Sequence, residues 1–218
     1  TQYLKEHGIA PGIKVDKGLI DLANTDAEKT TQGLDGLSER MADYQKAGAE
    51  FAKWRAVFTI DEGKPSWAVI QSNAEGLARY AAICQAHGIV PIVEPEVLIN
   101  GTHTIERCAD VTELVLNEVF RILKLHNVLL EGIILKPSMA IHGDLCTTKA
   151  TPEAVATRTV EMLKRTTPAA VPTINFLSGG QSSKQATLHL DLMNKSGDLP
   201  WNLSFSYGRA LQEHSLKA

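Results

Sequence analysis

The sequence is poor in cysteine, and neither sign of charge dominates it. Its three cysteines, Cys84, Cys108 and Cys146, are widely spaced and form no C-x-x-C pair, which argues against a disulfide framework and favours a reducing compartment. A formal net charge of -3 provides no overall positive field that could hold nucleic acid or an anionic membrane. Any phosphate site must therefore be built from a local cluster of cations.

Patterns that would indicate a membrane anchor, a nucleotide site or a metal centre are also missing. No apolar run approaches the roughly 20 residues of a membrane span, and no signal peptide is visible, although the chain starts at Thr1 rather than at methionine. Neither a G-x-G-x-x-G nor a P-loop lysine motif occurs. The histidines lack H-x-H and H-E-x-x-H spacing, so we expect surface or helix-end positions for them, which weighs against zinc chemistry. They are His7, His87, His103, His126, His142, His189 and His214.

The chain does contain a regular alternation of short apolar runs and longer amphipathic stretches. The apolar runs predict six strands, at residues 12–16, 51–55, 89–94, 131–136, 173–178 and 203–207. The amphipathic stretches predict helices at residues 34–47, 73–87, 111–125, 152–164 and 182–194. This alternation indicates a parallel sheet with crossover helices, and no linker divides the chain, so we expect one domain over residues 1–218.

An open doubly wound sheet and a closed barrel share this pattern, and the placement of polar residues separates them. Such residues recur at the carboxyl ends of the predicted strands: Lys14, Asp16, Lys53, Arg55, Glu94, Glu96, Lys136, Ser178 and Arg209. In an eight-stranded barrel these ends converge on one mouth, whereas in an open sheet they would spread along a line. We therefore predict an α/β fold, a (β/α)8 TIM barrel, of which this chain supplies six strands.

Lys136 ends the fourth apolar strand and is a candidate nucleophile. It shares the inward face with Ile134, because side chains alternate along a strand. Burial there disfavours the charged ammonium form, and Lys14 and Lys53 would disfavour it further, which exposes a nucleophilic amine. The plain alternative is a strand-end lysine that extends its amine to solvent. Three such lysines on separate strands favour the functional interpretation.

Glu94 and Glu96 supply carboxylates at the end of the third strand. They flank Pro95 and are two residues apart, so both side chains can point into the mouth of the barrel. A carboxylate beside a reacting amine can move protons while a carbinolamine loses water. The alternative is an exposed acidic loop that follows the strand.

A glycine turn after the fifth strand is a candidate phosphate site. The segment Ser178-Gly179-Gly180 leads into a helix, where glycine lets backbone amides approach an anion. Gly208-Arg209 follows the sixth strand, and the last two strands of a barrel commonly carry a phosphate site. A glycine pair alone is weak evidence for such a site, because turns use glycine everywhere.

These residues lie in segments that resemble the class I fructose-bisphosphate aldolase family along the whole chain. The segments are PGIKVDKG at 11–18, QGLDGL at 32–37, FAKWR at 51–55, VPIVEPE at 90–96, LKP at 135–137, FLSGGQS at 176–182 and FSYGRAL at 205–211. The resemblance implies a barrel enzyme that uses no metal or organic cofactor. It also implies a sugar-phosphate substrate and a homotetramer.

The resemblance implies a role for each matching position. Lys136 would form a Schiff base with the substrate, and Glu94 would be the main acid–base group, with Glu96 beside it. Lys53 would assist proton transfer. Two sets of residues would bind the two phosphates: Lys14 and Arg55 at the aldehyde end, and Ser178, Gly179, Gly208 and Arg209 at the ketone end. The reaction would be the reversible cleavage of fructose 1,6-bisphosphate in glycolysis and gluconeogenesis.

Other interpretations stay open at this point. A different Schiff-base barrel, such as a transaldolase, would act on a monophosphate sugar. A non-enzymatic scaffold is a third, because the family also binds cytoskeletal proteins. We expect a cytoplasmic location, with a plastid as the alternative. The family continues beyond both ends of this sequence, so we expect a partial chain and predict that residues 1–218 alone are inactive.

Overall fold

The computed structural model describes residues 1–217, with every side chain except those of Arg209, Glu213 and His214. In that range the strands are β1 Gly12–Lys14, β2 Leu19–Asp21, β3 Lys29–Thr31, β4 Phe51–Phe58, β5 Val90–Val97, β6 Ile134–Leu135, β7 Thr173–Phe176 and β8 Asn202–Phe205. Six of them form one parallel sheet in the order β1-β4-β5-β6-β7-β8. The other two, β2 and β3, form an antiparallel hairpin.

The helices in this range are α1 Gln2–Glu6, α2 Leu37–Lys46, α3 Trp67–Ala86, α4 Ile105–Leu125, α5 Pro152–Thr166, α6 Ser183–Asn194 and α7 Arg209–Lys217. Five of them, α2 to α6, lie between strands of the sheet, while α1 precedes β1 and α7 follows β8. Hydroxyl side chains cap α3, α4, α5 and α6, and each accepts a hydrogen bond from an amide three residues on. The caps are Ser66, Thr104, Thr151 and Ser182. Pro152 follows the cap Thr151 at the first position of α5, where a helix does not need its amide hydrogen.

The α/β prediction, the six parallel strands and the five amphipathic helices are confirmed, with shifted ends. β5 continues through Pro95 to Val97, and β6 is reduced to two residues because a 3-10 turn occupies Leu130–Gly132. The prediction missed α1, α7 and the β2–β3 hairpin. The hairpin strands have three residues each, which is too short for an alternating pattern to be recognised.

The two faces of the sheet differ in chemistry. On β4, Ala52, Trp54 and Ala56 are fully buried towards the helices, and Trp54 stacks on Tyr80 of α3 with ring centroids 5.6 Å apart. Between them, Lys53 and Arg55 point to the opposite face, as alternation requires. The apolar core therefore lies between sheet and helices, and the polar residues collect on the other face. Within the described residues, β1 and β8 are the end strands of an open sheet.

Two further observations concern the cysteines and the helices. Cys84, Cys108 and Cys146 are free and buried. Over residues 1–217, no helix combines the length and the apolar character needed to cross a membrane.

The predicted inactivity of residues 1–218 on their own stays a prediction.

The expectation that every histidine lies at the surface or at a helix end is wrong for His189, which is buried within α6, whereas His103 directly precedes the N-cap of α4. His103 and His189 are buried, with 8% and 4% exposure. Burial lowers the pKa of His103, and the charges of His142 and Arg107 lower it further against the opposing effect of Asp144. Burial likewise lowers the pKa values of His142 and His189. The sequence carried no signal for this, because an isolated histidine in a helix pattern does not report its depth.

The depressed histidine pKa values predict an acid-labile fold. Below the ordinary histidine pKa of about 6.5, unfolded histidines bind protons that the folded ones resist, so stability should fall as the pH drops below that value. We expect the Tm of the full-length protein to be level above about pH 6.5 and to decrease from there to about pH 5. The variant His103→Leu should flatten this slope, whereas His7→Gln, at an exposed site, should not. An unchanged slope in His103→Leu would contradict the prediction.

Candidate active site

Strand register brings the predicted site residues to one end of the sheet. Lys14 of β1 is paired with Lys53 of β4, and Arg55 of β4 is paired with Glu94 of β5. Lys136 follows β6, and its amide donates a hydrogen bond to Val93 O over 2.8 Å. Parallel strands that start on one side place their carboxyl ends together, so residues far apart in sequence become neighbours.

Glu94 forms the centre of the charged group, between two lysines. Lys136 Nζ lies 3.1 Å from Glu94 Oε1, and Lys53 Nζ lies 2.9 Å from Glu94 Oε2. The Glu94 side chain is 5% exposed. Oε2 accepts no well-aligned hydrogen bond from the described residues, so its short contact with Lys53 is an ion pair. A buried carboxylate with an amine on each oxygen is suited to passing protons between them.

Arg55 and Glu96 form a second ion pair beside the first. The Nε of Arg55 donates a hydrogen bond to Glu96 Oε2. Burial works against the charge of Arg55, but the bond to Glu96 and the charges of Glu96, Glu94 and Asp16 raise the pKa of its guanidinium. Arg55 is therefore a permanent cation at this end of the sheet, available to an anionic ligand.

Asp16 is a member of this group whose role the sequence did not reveal. Its side chain is 3% exposed and pairs with Lys14 Nζ through Oδ1. The amide of Gly18 donates to Oδ1 over 3.2 Å, and the amide of Arg55 donates to Oδ2 over 3.3 Å. Asp16 thus joins the end of β1 to β4 and holds Lys14. Asp16 comes two residues after Lys14 and therefore shares its face of the chain, which was the signal available in the sequence. This spacing does not show what the carboxylate contacts.

A cleft of about 950 Å³ opens over these residues. Its described lining includes Arg55, Glu94, Glu96 and Lys136 on one side and Ser178, Gly179, Gly180 and Gly208 on the other. Lys14 and Lys53 are not among the described lining residues. The predicted contribution of Arg209 lies outside the described side chains, although its backbone begins α7. Four strand ends and one glycine turn therefore meet at a single cleft.

The glycine turn has a left-handed backbone conformation that favours glycine. Gly179 and Gly180 have φ of 56° and 84°, and the amide of Gln181 closes the turn by donating to Ser178 O over 3.0 Å. α6 follows at once, capped by Ser182 with Gln185 in a capping box. Across the described residues, no oxygen accepts a hydrogen bond from the amides of Gly179 and Gly180. These amides at a helix N-terminus are suited to bind an anion.

No group of three or more histidine, cysteine, aspartate or glutamate side chains that could hold a metal occurs within the described residues. The chemistry that the site can perform with its own residues is that of an amine, carboxylates and cations. Two lysine amines contact the buried carboxylate of Glu94, and of these two residues Lys136 is among the described lining of the cleft.

Comparison with known proteins decides the family. The family model described as fructose-bisphosphate aldolase class-I matches residues 1–218. The chain belongs to the class I fructose-bisphosphate aldolase family. Among curated relatives, fructose-bisphosphate aldolase 1 of Toxoplasma gondii is 60% identical over 220 residues, which cover 100% of this chain and 61% of the relative. Cytosolic fructose-bisphosphate aldolase 5 of Arabidopsis thaliana is 58% identical over 219 residues, again covering 100% of this chain and 61% of the relative.

A solved aldolase structure agrees with the fold. Fructose-bisphosphate aldolase from Plasmodium falciparum, in complex with TRAP and a small-molecule inhibitor, matches with a TM-score of 0.97 and 54% identity. The match covers 99% of this chain and 63% of the P. falciparum chain. The predicted aldolase resemblance and TIM-barrel fold class are thereby confirmed. The chain spans about three fifths of the length of the curated relatives that it matches. The residue roles that the aldolase resemblance implied stay predictions.

The turn residue Gly179 allows a direct test of the predicted phosphate site. In Gly179→Ala a Cβ would lie 2.9 Å from Leu177 Cδ1, at a φ that L residues adopt only at a cost of about 1–2 kcal/mol. The aldolase resemblance implies dihydroxyacetone phosphate as the ligand of this site, and on that prediction its KM in the full-length protein should rise about 3- to 10-fold, as for a lost hydrogen bond. Gly63→Ala is the matched control, because Gly63 also has positive φ but has open space around its Cβ position. An equal KM in both variants would count against the site.

Proposed function

We propose that the protein containing this chain cleaves fructose 1,6-bisphosphate to dihydroxyacetone phosphate and glyceraldehyde 3-phosphate through a Schiff base on Lys136. The observation that supports this most is the 3.1 Å contact between Lys136 Nζ and the buried Glu94, at the cleft that the glycine turn also lines. A reactive amine, a proton carrier and a phosphate site then meet in one place.

In this proposal Lys136 and Glu94 carry out the covalent steps together. Glu94 accepts a proton from the Lys136 ammonium, and the neutral amine attacks the C2 carbonyl to form a carbinolamine. Glu94 returns a proton to the C2 hydroxyl, which leaves as water and gives a protonated imine. Breakage of the C3–C4 bond sends its electron pair into that imine as an enamine, while a carboxylate of the site, such as the again ionised Glu94, takes the proton of the C4 hydroxyl and the aldehyde departs. Protonation at C3 and hydrolysis then release dihydroxyacetone phosphate and free Lys136.

Lys53 has a supporting role in this proposal. Its amine lies 2.9 Å from the other oxygen of Glu94, so its positive charge stabilises the carboxylate each time a proton leaves. Glu96 accepts a hydrogen bond from the guanidinium of Arg55 and so holds Arg55 in place beside the cleft. Because each carboxylate has its own cation, Glu94 can serve as the acid–base group while Arg55 serves as the phosphate-binding cation, although the two lie on neighbouring strands.

Cations and amides on two sides of Lys136 favour a bisphosphate substrate. Lys14 and Arg55 would bind the phosphate at the aldehyde end, and the segments at Ser178-Gly179 and Gly208-Arg209 would bind the one at the ketone end. A transaldolase would need only one of these clusters. Family membership also speaks against that alternative and against a purely non-enzymatic scaffold.

Assembly, partners and location are proposed from the family and its relatives. We propose a homotetramer of chains that each contain these residues within a single barrel domain. A cytoplasmic location is supported by the cytosolic names of relatives from A. thaliana. Binding of other proteins is supported by the P. falciparum aldolase structure with TRAP, and cytoskeletal proteins remain candidate partners.

The test is a substrate and trapping assay on the full-length protein. We expect cleavage of fructose 1,6-bisphosphate in the presence of EDTA, and borohydride with dihydroxyacetone phosphate should leave a secondary amine on Lys136. Label found on Lys14 or Lys53 instead would contradict the assignment. Activity on sedoheptulose 7-phosphate without activity on fructose 1,6-bisphosphate would favour a transaldolase, and an inactive protein with intact Lys136 would favour a scaffold.

A further inference from the structure

Two buried side chains hold the glycine turn after β7. Gln181 is 9% exposed, and its Nε2 donates a hydrogen bond to Ser178 O over 2.9 Å. The backbone amide of Gln181 donates to the same oxygen over 3.0 Å. On α6, Nδ1 of the buried His189 lies 2.6 Å from Oε1 of Gln181. The turn is therefore tied to the helix that follows it through one carboxamide and one imidazole.

These contacts fix the orientation of both side chains. Nε2 of Gln181 donates to a carbonyl, so Oε1 must face His189, and this oxygen can only accept a hydrogen bond. His189 must then donate from Nδ1. On its remaining side Nε2 of Gln181 lies 3.6 Å from Met139 Sδ, three residues after Lys136. Gln181 cannot rotate without leaving buried polar groups unpaired, which is costly.

The same helix also anchors the second glycine segment of the cleft. The hydroxyl of Tyr207, directly before Gly208, donates to Ala186 O over 2.7 Å. Ala186 and His189 are three residues apart on α6, so they lie on one face of the helix. Both segments predicted to bind the ketone-side phosphate are thus attached to the same helix face.

We propose that His189 and Gln181 are positioning residues that hold the Ser178–Gly180 turn in the geometry that binds the ketone-side phosphate. This inference rests on the function proposed above. Two consecutive glycines restrict their own conformation very little, so the shape of the turn depends on what surrounds it. The carboxamide supplies that restraint from inside the turn, and the imidazole restrains the carboxamide. Phosphate affinity therefore depends on a histidine in the following helix.

The test uses the condensation reaction of the full-length protein, in which the two phosphates belong to separate substrates. In His189→Leu the carboxamide loses its donor, so we expect the KM for dihydroxyacetone phosphate to rise about 3- to 10-fold. The KM for glyceraldehyde 3-phosphate should stay unchanged, because its phosphate lies at the other end of the cleft. General damage to the fold would change both constants.

A conservative variant and a second site make the test specific. His189→Asn keeps an amide nitrogen near the place of Nδ1 and should restore the KM for dihydroxyacetone phosphate. Gln181→Glu keeps the acceptor for His189 but sets an oxygen against Ser178 O, so it should show the same selective rise. His126→Leu removes an imidazole that contacts Glu75 away from the cleft, and both constants should stay at the wild-type value.

The outcomes separate this inference from the proposed function. If the wild type is trapped at Lys136 but His189→Leu and Gln181→Glu leave the KM for dihydroxyacetone phosphate unchanged, the positioning role is wrong and the function stands. Equal rises of both KM values in these variants would also overturn the positioning role. Should His189→Leu fail to fold, Gln181→Glu decides the question with the same readout. Failure of the wild type to be trapped or to condense its substrates would overturn both.

Discussion

Replacing Lys136 with methionine should abolish borohydride trapping and lower kcat/KM for fructose 1,6-bisphosphate by roughly four to six orders of magnitude, as for the loss of other covalent nucleophiles. Methionine is close to lysine in length and suits a buried site, so the strand end should keep its packing. The loss has a chemical cause: without the amine no imine can form, and the electron pair of the breaking bond has no acceptor. Trapping by mass spectrometry and a coupled cleavage assay on the full-length protein provide the two measurements.

The control for Lys136 is another lysine of the same group. Lys53→Met removes an amine that contacts the same carboxylate, Glu94, but it leaves the amine of Lys136 in place. We expect Lys53→Met to be slower than the wild type and still to be trapped at Lys136. Trapping that survives in Lys136→Met, at whatever residue, would show that the nucleophile has been assigned wrongly.

Replacing Glu94 with glutamine should lower kcat about 10²- to 10⁴-fold, the usual size of a general acid–base contribution. The amide keeps the size of the carboxylate but can neither accept the Lys136 proton nor return it to the carbinolamine. It also removes the shared counterion of Lys53 and Lys136, which lie 2.9 Å and 3.1 Å from the two oxygens. Trapping at Lys136 should become slower without being lost. Single-turnover imine formation, followed by borohydride quenching, measures this step directly.

Glu118 is the matched control for Glu94, because it too is a buried carboxylate in an ion pair. It is 5% exposed on α4, where it pairs with Arg121 and accepts a hydrogen bond from Gln71, outside the described lining of the cleft. Glu118→Gln should lower stability and leave kcat near the wild-type value. A comparable loss of kcat in both variants would mean that buried charge, and not proton transfer, explains the effect of Glu94.

The six strands of the parallel sheet, five of the helices and the gathering of polar residues at the strand ends could be predicted from local patterns in the chain. Alternation of short apolar runs with amphipathic stretches predicted the six parallel strands, because the periods of strand and helix are local properties. Polar residues at the strand ends predicted one shared site, since parallel strands with crossover helices bring their carboxyl ends together. The aldolase resemblance along the whole chain then named the family, which the comparison with known proteins confirmed.

The contacts between these groups, in contrast, depend on how the strands and helices pack. The strand pattern alone does not distinguish Glu94 from Glu96, yet in the folded sheet Glu94 lies between two lysines and Glu96 pairs with Arg55. Asp16 and His189 acquired their contacts in the same way, through partners that packing brings beside them. Such contacts join residues tens of positions apart or depend on how deeply a side chain is buried. The local alternation of apolar and polar residues reports neither the partner nor the depth. The sequence alone thus identifies the charged and polar residues at the strand ends. Which of these residues pair with each other is decided by the folded sheet.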